Sequence, residues 1–98
     1  MAVCGGFALG LACARGREVL FRIHAPVAAA VSVCGSFRDW RCVPLVRGPR
    51  GEFWGRLAVS PGLYEYGFRV DGRWRLGRGA AQVDDGFGGR NDLLLVRR

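Results

Sequence analysis

Residues 64–74, which read YEYGFRVDGRW, carry the clearest structural pattern in the chain. Apolar and polar side chains alternate there, and a period of two predicts a strand with one buried face. The apolar face carries Tyr64, Tyr66, Phe68 and Val70. The Asp71-Gly72 pair that follows favours a type I′ turn, because both residues tolerate a positive φ. A returning strand is therefore expected over residues 74–76, which makes this segment a β-hairpin.

Shorter patterns of the same kind flank the hairpin on both sides. Residues 18–24 alternate and end at Ala25-Pro26, because proline lacks the amide donor that a β-ladder needs. Further strands are expected at 31–33, 44–46, 52–59 and 92–96, with a loop over 77–89. No segment has a helical period of useful length. The chain is thus predicted to be all-β, an immunoglobulin-like antiparallel β-sandwich.

The length of the chain and its apolar content favour one folded domain. The chain has 98 residues, of which 50% are apolar, so a hydrophobic core is expected and disorder is not. We predict a domain over residues 18–98, preceded by a lead-in or first strand over residues 1–17. The apolar N-terminus lacks the preceding basic residues of a signal peptide and is too short to span a membrane.

The charge of the chain raises the question of a polyanionic partner. The formal net charge is +7, and all 15 basic residues are arginine. A basic patch would favour nucleic-acid binding. The arginines are scattered along the chain, however, and the longest run is Arg97-Arg98. Neither nucleic acid nor membrane is therefore expected as a partner.

The four cysteines are Cys4, Cys13, Cys34 and Cys42. None forms a Cys-x-x-Cys pair, and the single histidine lies in a predicted strand, so no metal site is expected. Free thiols in a reducing cytoplasm are the preferred interpretation. A Cys34–Cys42 disulfide is the open alternative, because these two residues flank one loop.

Candidate catalytic groups are few. The serines lack the G-x-S-x-G context of a hydrolase nucleophile. The aspartates sit mostly in predicted turns, where this residue commonly accepts hydrogen bonds from backbone amides. They are Asp39, Asp71, Asp84, Asp85 and Asp92. We therefore expect a non-catalytic protein that needs no cofactor.

The aromatic residues offer a better indication of function. Trp40 and Trp74 follow predicted turns, and Phe87 lies between two glycines on a loop, whereas Trp54 lies in mid-strand and is expected to be structural. An exposed indole suits a sugar, because the apolar C–H face of glucose stacks on its electron-rich face. The amide of Asn91 could bind the sugar hydroxyls, or alternatively cap a turn before the last strand.

These residues stand in a recognisable order. The elements VSVCGSFRDW at 31–40, VPL at 43–45, PGLYEYGFRVDGRW at 61–74 and Asn91-Asp92 resemble the glycogen-binding domain of the AMP-activated protein kinase beta subunit. That domain belongs to the family-48 carbohydrate-binding modules, which have the isoamylase-type early-set fold. Residues 21–26, FRIHAP, are similar to the first strand of the enzyme-linked members.

The resemblance implies a site and a ligand. It places the two glucose-stacking tryptophans at Trp40 and Trp74, the inserting loop residue at Phe87 and the hydroxyl-binding amide at Asn91. The implied ligand is an α-glucan such as glycogen, starch or maltodextrin. The alternative is a docking module for a kinase or glucan-metabolising enzyme, with an idle sugar site.

The sequence departs from the family pattern in two places. Gly67 replaces a lysine that contacts a sugar hydroxyl in the kinase-type domains, and Arg69 or Arg73 is the candidate substitute. Gly77-Arg78 stands where the family has Asp-Pro. A hydrogen bond to a charged group contributes about 1.5–3 kcal/mol, so the lost lysine bears on affinity more than on fold.

Overall fold

The computed structural model describes residues 17–77 and 81–97 and confirms the predicted all-β class. Two antiparallel sheets form a sandwich. The smaller sheet has the order β1-β5-β4, and the larger has β3-β2-β6-β9-β8 with β7 paired to β6. The strands are β1 Arg17–His24, β2 Val31–Gly35, β3 Cys42–Pro44, β4 Val46–Arg47, β5 Glu52–Val59, β6 Gly62–Val70, β7 Arg73–Arg75, β8 Gln82–Asp84 and β9 Arg90–Val96.

The nine-residue strand β6 organises the larger sheet. One edge of β6 pairs with β2, from Val31 opposite Val70 to Gly35 opposite Tyr66. Its other edge is shared: the first half pairs with β9 and the second half with β7. Strands β7 and β9 therefore meet end to end beside the middle of β6.

The hydrophobic core lies between the two sheets. The smaller sheet contributes Phe21, Ile23 and Phe53, and β2 and β6 contribute Val33 and Phe68. All five side chains are buried, and Tyr66 and Val70 pack against them. The burial of Phe21, Ile23 and Phe68 confirms the alternating patterns of residues 18–24 and 64–70. Burying a side chain of this size contributes about 1.5–3 kcal/mol.

The hairpin of residues 64–74 forms as expected. Asp71 and Gly72 both have positive φ, at 51° and 83°. The Asp71 carboxylate also accepts hydrogen bonds of 2.9 Å from the amides of Ala29 and Ala30, and its own amide donates to the Ala30 carbonyl. The turn that leads into β7 is thereby attached to the loop before β2.

Three sequence-based expectations need correction. The segment 77–89 contains strand β8, and β9 begins at Arg90, two residues earlier than predicted. Trp54 is not a core residue: the inward positions of β5 are Phe53 and Val59, so the alternation turns Trp54 outward.

None of the helical segments within residues 17–77 and 81–97 could span a bilayer. The predicted lead-in, apart from Arg17, lies outside the described residues.

A buried carboxylate sits on the inward face of β9. Asp92 pairs in register with Tyr66 and is fully buried. Its Oδ2 accepts a 2.7 Å hydrogen bond from the Gly77 amide, whereas Oδ1 has no partner among the described residues. Burial raises the pKa of Asp92 above its ordinary value, and the Gly77 hydrogen bond opposes that shift only in part. Burial, followed by the Asp92 charge, likewise raises the pKa of Tyr66.

Asp92 should make folding stability depend on pH. Because its pKa is higher in the folded chain, its contribution to stability is complete below the ordinary carboxyl pKa of about 4 and is lost as the pH rises through the folded value. Chemical denaturation between pH 3 and 8 should show wild type losing stability with rising pH relative to Asp92→Asn. Parallel pH profiles of the two proteins would contradict this assignment.

Candidate functional site

Trp40 and Trp74 form an exposed pair on the outer face of the larger sheet. Their ring centroids are 6.4 Å apart and the ring planes are tilted by 52°. Trp40 is 45% exposed and Trp74 is 41% exposed, so neither indole belongs to the core. Two indoles at this separation, held at an angle, offer an apolar surface on which a curved ligand with two flat faces can lie.

The backbone of Gly67 forms the support on which Trp74 lies. Trp74 pairs in register with Arg69 and its indole extends back across β6. A Cβ atom at Gly67 would lie only 2.2 Å from the Trp74 ring atom Cζ2, so only glycine permits this approach. The indole Nε1 also donates a 3.3 Å hydrogen bond to the Arg90 carbonyl. Trp74 is therefore held between the middle of β6 and the start of β9.

Trp40 is placed by a tight loop between β2 and β3. The loop begins with a short 3-10 helix, Ser36–Arg38, and continues with left-handed φ values of 54° at Asp39 and 64° at Trp40. The Trp40 amide returns to the Gly35 carbonyl with a 2.9 Å hydrogen bond. This conformation turns the Trp40 indole toward Trp74.

A disulfide closes the base of the same loop. Cys34 and Cys42 are directly opposite on β2 and β3, with their Cα atoms 4.2 Å apart, and their sulfurs are bonded. The expectation of free thiols is therefore wrong for this pair, because the two strands place the cysteines at bonding distance. Cys4 and Cys13 lie outside the described residues. Cys34 is also the register partner of Gly67, so the disulfide borders the support of Trp74.

Asn91 lies beside this support, on β9. Its side-chain Nδ2 donates a 3.0 Å hydrogen bond to Glu65 Oε1 on the neighbouring β6. Asn91 is within the strand and does not cap a turn, so the capping alternative is wrong. The residue is only 8% exposed, so a ligand would reach little of its surface.

Phe87 is at the tip of the hairpin loop between β8 and β9. Its ring is 94% exposed. The Asp85 carboxylate shapes the loop by accepting hydrogen bonds from the amides of Phe87 and Gly89, and Asp84 accepts one from Gly86. These two aspartates are turn-capping groups, as predicted. Since the loop leads directly into Arg90 and Asn91, Phe87 projects from the element that also supports Trp74.

The two candidate substitutes for the family lysine differ in position. Arg69 is on the outer face of β6, next along from Gly67, whereas Arg73 is one residue from Trp74 and on the opposite face of β7. The Arg69 guanidinium donates a 3.2 Å hydrogen bond to the Gly72 carbonyl. Arg69 therefore lies at the edge of the tryptophan pair, and of the two it is the one that shares its face.

Sequence reasoning missed the residues that support the site. From the sequence alone, Gly67 indicates only the loss of a lysine, and nothing identifies Glu65 as the partner of Asn91. An isolated glycine inside an alternating strand is itself the signal of a close approach. Among residues 17–77 and 81–97, no group of three or more His, Cys, Asp or Glu side chains is arranged to hold a metal ion.

The match to known proteins covers most of the chain. A family model described as the glycogen recognition site of AMP-activated protein kinase matches residues 20–98. That range includes all of the site residues described above. Among curated individual proteins, none matches the chain.

Replacing Gly67 with alanine should displace Trp74. The added Cβ would overlap the indole, so we expect lower stability and a changed near-ultraviolet circular dichroism signal from the Trp40–Trp74 pair. Relieving such an overlap costs about 1–3 kcal/mol. The control is Gly67→Ala in a Trp74→Ala background, where the overlap is gone and the substitution should cost much less. An equal cost in both backgrounds would refute this role for Gly67.

Opening the Cys34–Cys42 disulfide should loosen the loop that carries Trp40. For a cross-link with a sequence separation of 8, the chain-entropy model gives about 2–3 kcal/mol. Urea denaturation should show this loss for Cys34→Ser/Cys42→Ser, together with a weaker Trp40–Trp74 dichroism signal. A Cys4→Ser/Cys13→Ser protein is the matched control. A reductant should lower the free energy of unfolding of that control to the value of Cys34→Ser/Cys42→Ser. If the stability of the control does not change with reductant, the disulfide assignment is contradicted.

Proposed function

Since the chain belongs to the family of glycogen recognition sites of AMP-activated protein kinase, we propose that it binds α-glucan by stacking glucose rings on Trp40 and Trp74. The tilted, exposed indole pair is the observation that carries this proposal. The protein binds the polysaccharide without transforming it. The ligand class is glycogen, starch or maltodextrin.

Stacking suits the chemistry of both partners. One face of a glucose ring carries C–H groups that are weakly electropositive, and the indole face is electron-rich, so the contact combines apolar burial with electrostatic attraction. An α-1,4-linked chain is curved, so neighbouring rings present their faces at an angle. The 52° tilt between Trp40 and Trp74 supports contact with two neighbouring rings of one chain.

The remaining site residues provide position and polar contacts. Phe87 inserts against the concave side of the bound chain, since its exposed ring projects from the loop before β9. Asn91 offers the part of its amide that Glu65 does not occupy to a sugar hydroxyl. Arg69 supplies the donor that the family lysine would otherwise provide, after release from the Gly72 carbonyl.

Replacing Trp40 or Trp74 with alanine should weaken glycogen binding. Aromatic platforms of this kind lose about 1–3 kcal/mol per stacked ring on alanine substitution, which raises Kd about 5- to 150-fold. Affinity electrophoresis in gels that contain glycogen should show the retardation lost in the double variant. Phe87→Ala should have a smaller effect.

The control is Val27→Ala, which truncates an exposed apolar side chain in the loop between β1 and β2. It should migrate like wild type. A wild-type protein that glycogen does not retard, or retardation that survives the double tryptophan replacement, would refute the proposal. The docking alternative would be favoured if the Trp40→Ala/Trp74→Ala protein still formed a stable complex with a kinase or a glucan-metabolising enzyme.

A further inference from the structure

A third exposed tryptophan lies on the opposite side of the sandwich. Trp54 is on the outer face of the smaller sheet, between Arg22 on β1 and Val46 on β4. Its exposure of 38% is close to those of Trp40 and Trp74. The outer faces of the two packed sheets point away from each other. A ligand on Trp54 would therefore not compete for space with one on the Trp40–Trp74 pair.

The surroundings of Trp54 form a shallow, open groove on the strand surface. The groove has a volume of about 240 Å³ and is lined by Leu20, Arg22, Pro49, Glu52, Trp54 and Arg56. Gly48 supports one edge of the indole, since a Cβ there would lie 3.1 Å from Trp54 Cδ1. Like Trp74, Trp54 thus packs beside a glycine and leaves part of its ring open to solvent.

We propose that the Trp54 groove is a second α-glucan site, which holds one glucose unit of a different chain or branch. The proposal rests on the proposed function, because it assigns the same ligand to a second aromatic surface. The indole of Trp54 stacks on the sugar face, while Arg22 and Arg56 donate hydrogen bonds to its hydroxyls. The small volume suits one sugar unit, since pockets for larger ligands usually exceed about 300 Å³.

Glu52 distinguishes a sugar from the other ligands that arginine and tryptophan could bind. An arginine pair beside an aromatic ring also suits nucleic acid, where the arginines bind phosphate. Glu52 lines the same groove, however, and its carboxylate would repel a phosphate. A sugar hydroxyl can donate to that carboxylate and accept from the guanidinium groups, so a neutral polyhydroxyl ligand satisfies both kinds of group.

Two sites on opposite faces would change how the domain behaves on a polymer. One domain could join two glucan chains, or bind two branches of one particle. The second contact would then be intramolecular, and its effective concentration would raise the overall avidity without any new contact at either site. The ratio of the affinity for glycogen to the affinity for a short maltodextrin would therefore be larger than a domain with a single site could give.

Calorimetric titration with maltoheptaose separates the two sites. Wild type should bind about two molecules per chain, and both Trp54→Ala and Trp40→Ala/Trp74→Ala should bind about one. Val46→Ala, which truncates the neighbour of Trp54 on β4, is the matched control and should keep both. Trp54→Phe should keep the second site with weaker affinity, and it remains informative if Trp54→Ala fails to fold.

The outcomes separate this proposal from the proposed function. If wild type binds one maltoheptaose molecule, and only the replacement of Trp40 and Trp74 abolishes that binding, the second site is overturned and the first is retained. Two molecules bound to Trp54→Ala would also overturn it. No maltoheptaose bound at all would refute both. Salt-sensitive binding of an RNA oligonucleotide that depends on Trp54, without maltoheptaose binding there, would assign the groove to nucleic acid instead.

Discussion

The contact between the Trp74 indole and the backbone of Gly67 is the constraint on which the tryptophan pair depends. Without a Cβ on β6 at this point, the ring lies against the strand and close enough to Trp40 to form one surface. The glycine has a second neighbour, since Cys34 pairs with it in register. Three adjacent strands therefore contribute backbone or disulfide atoms to one support, and rigid elements hold a binding surface more accurately than loops do.

The alternating pattern of β6 was sufficient to predict the core but not the site. Burial follows from side-chain alternation along one strand, which is a local property, so Phe68 and Tyr66 could be assigned from the sequence. Which residues meet on the outer face depends on the register of β6 with β2, β7 and β9. The sequence of one strand does not encode that register. For this reason Asn91 was identified only through a family resemblance, and its partner Glu65 was not identified. Trp54 shows the limit of the local argument: a mid-strand position does not say which face is inward.

The arginine-rich composition is consistent with a neutral ligand, because several arginines have structural partners. Arg75 donates a 2.7 Å hydrogen bond to the His24 carbonyl in the opposite sheet, and Arg47 both bonds to the Ala28 carbonyl and stacks over the ring of Phe53. Arg69 bonds to the hairpin turn. A planar guanidinium with five N–H donors is well suited to such links between separate backbone segments, so net charge alone does not indicate a polyanionic partner.

The loop that carries Trp40 combines two kinds of restraint that respond differently to a reducing environment. The Cys34–Cys42 disulfide would open there, whereas the hydrogen bonds from Trp40 to Gly35 and from Arg41 to Arg38 would not be affected directly. The disulfide ties the two ends of the loop together and so limits the conformations that the loop can adopt when it opens, while the hydrogen bonds define the left-handed turn itself. The position of Trp40 is therefore set by the turn, and the disulfide determines how firmly that position is held. A cytoplasmic location, which stays a prediction, would leave the shape of the tryptophan pair intact and reduce its rigidity.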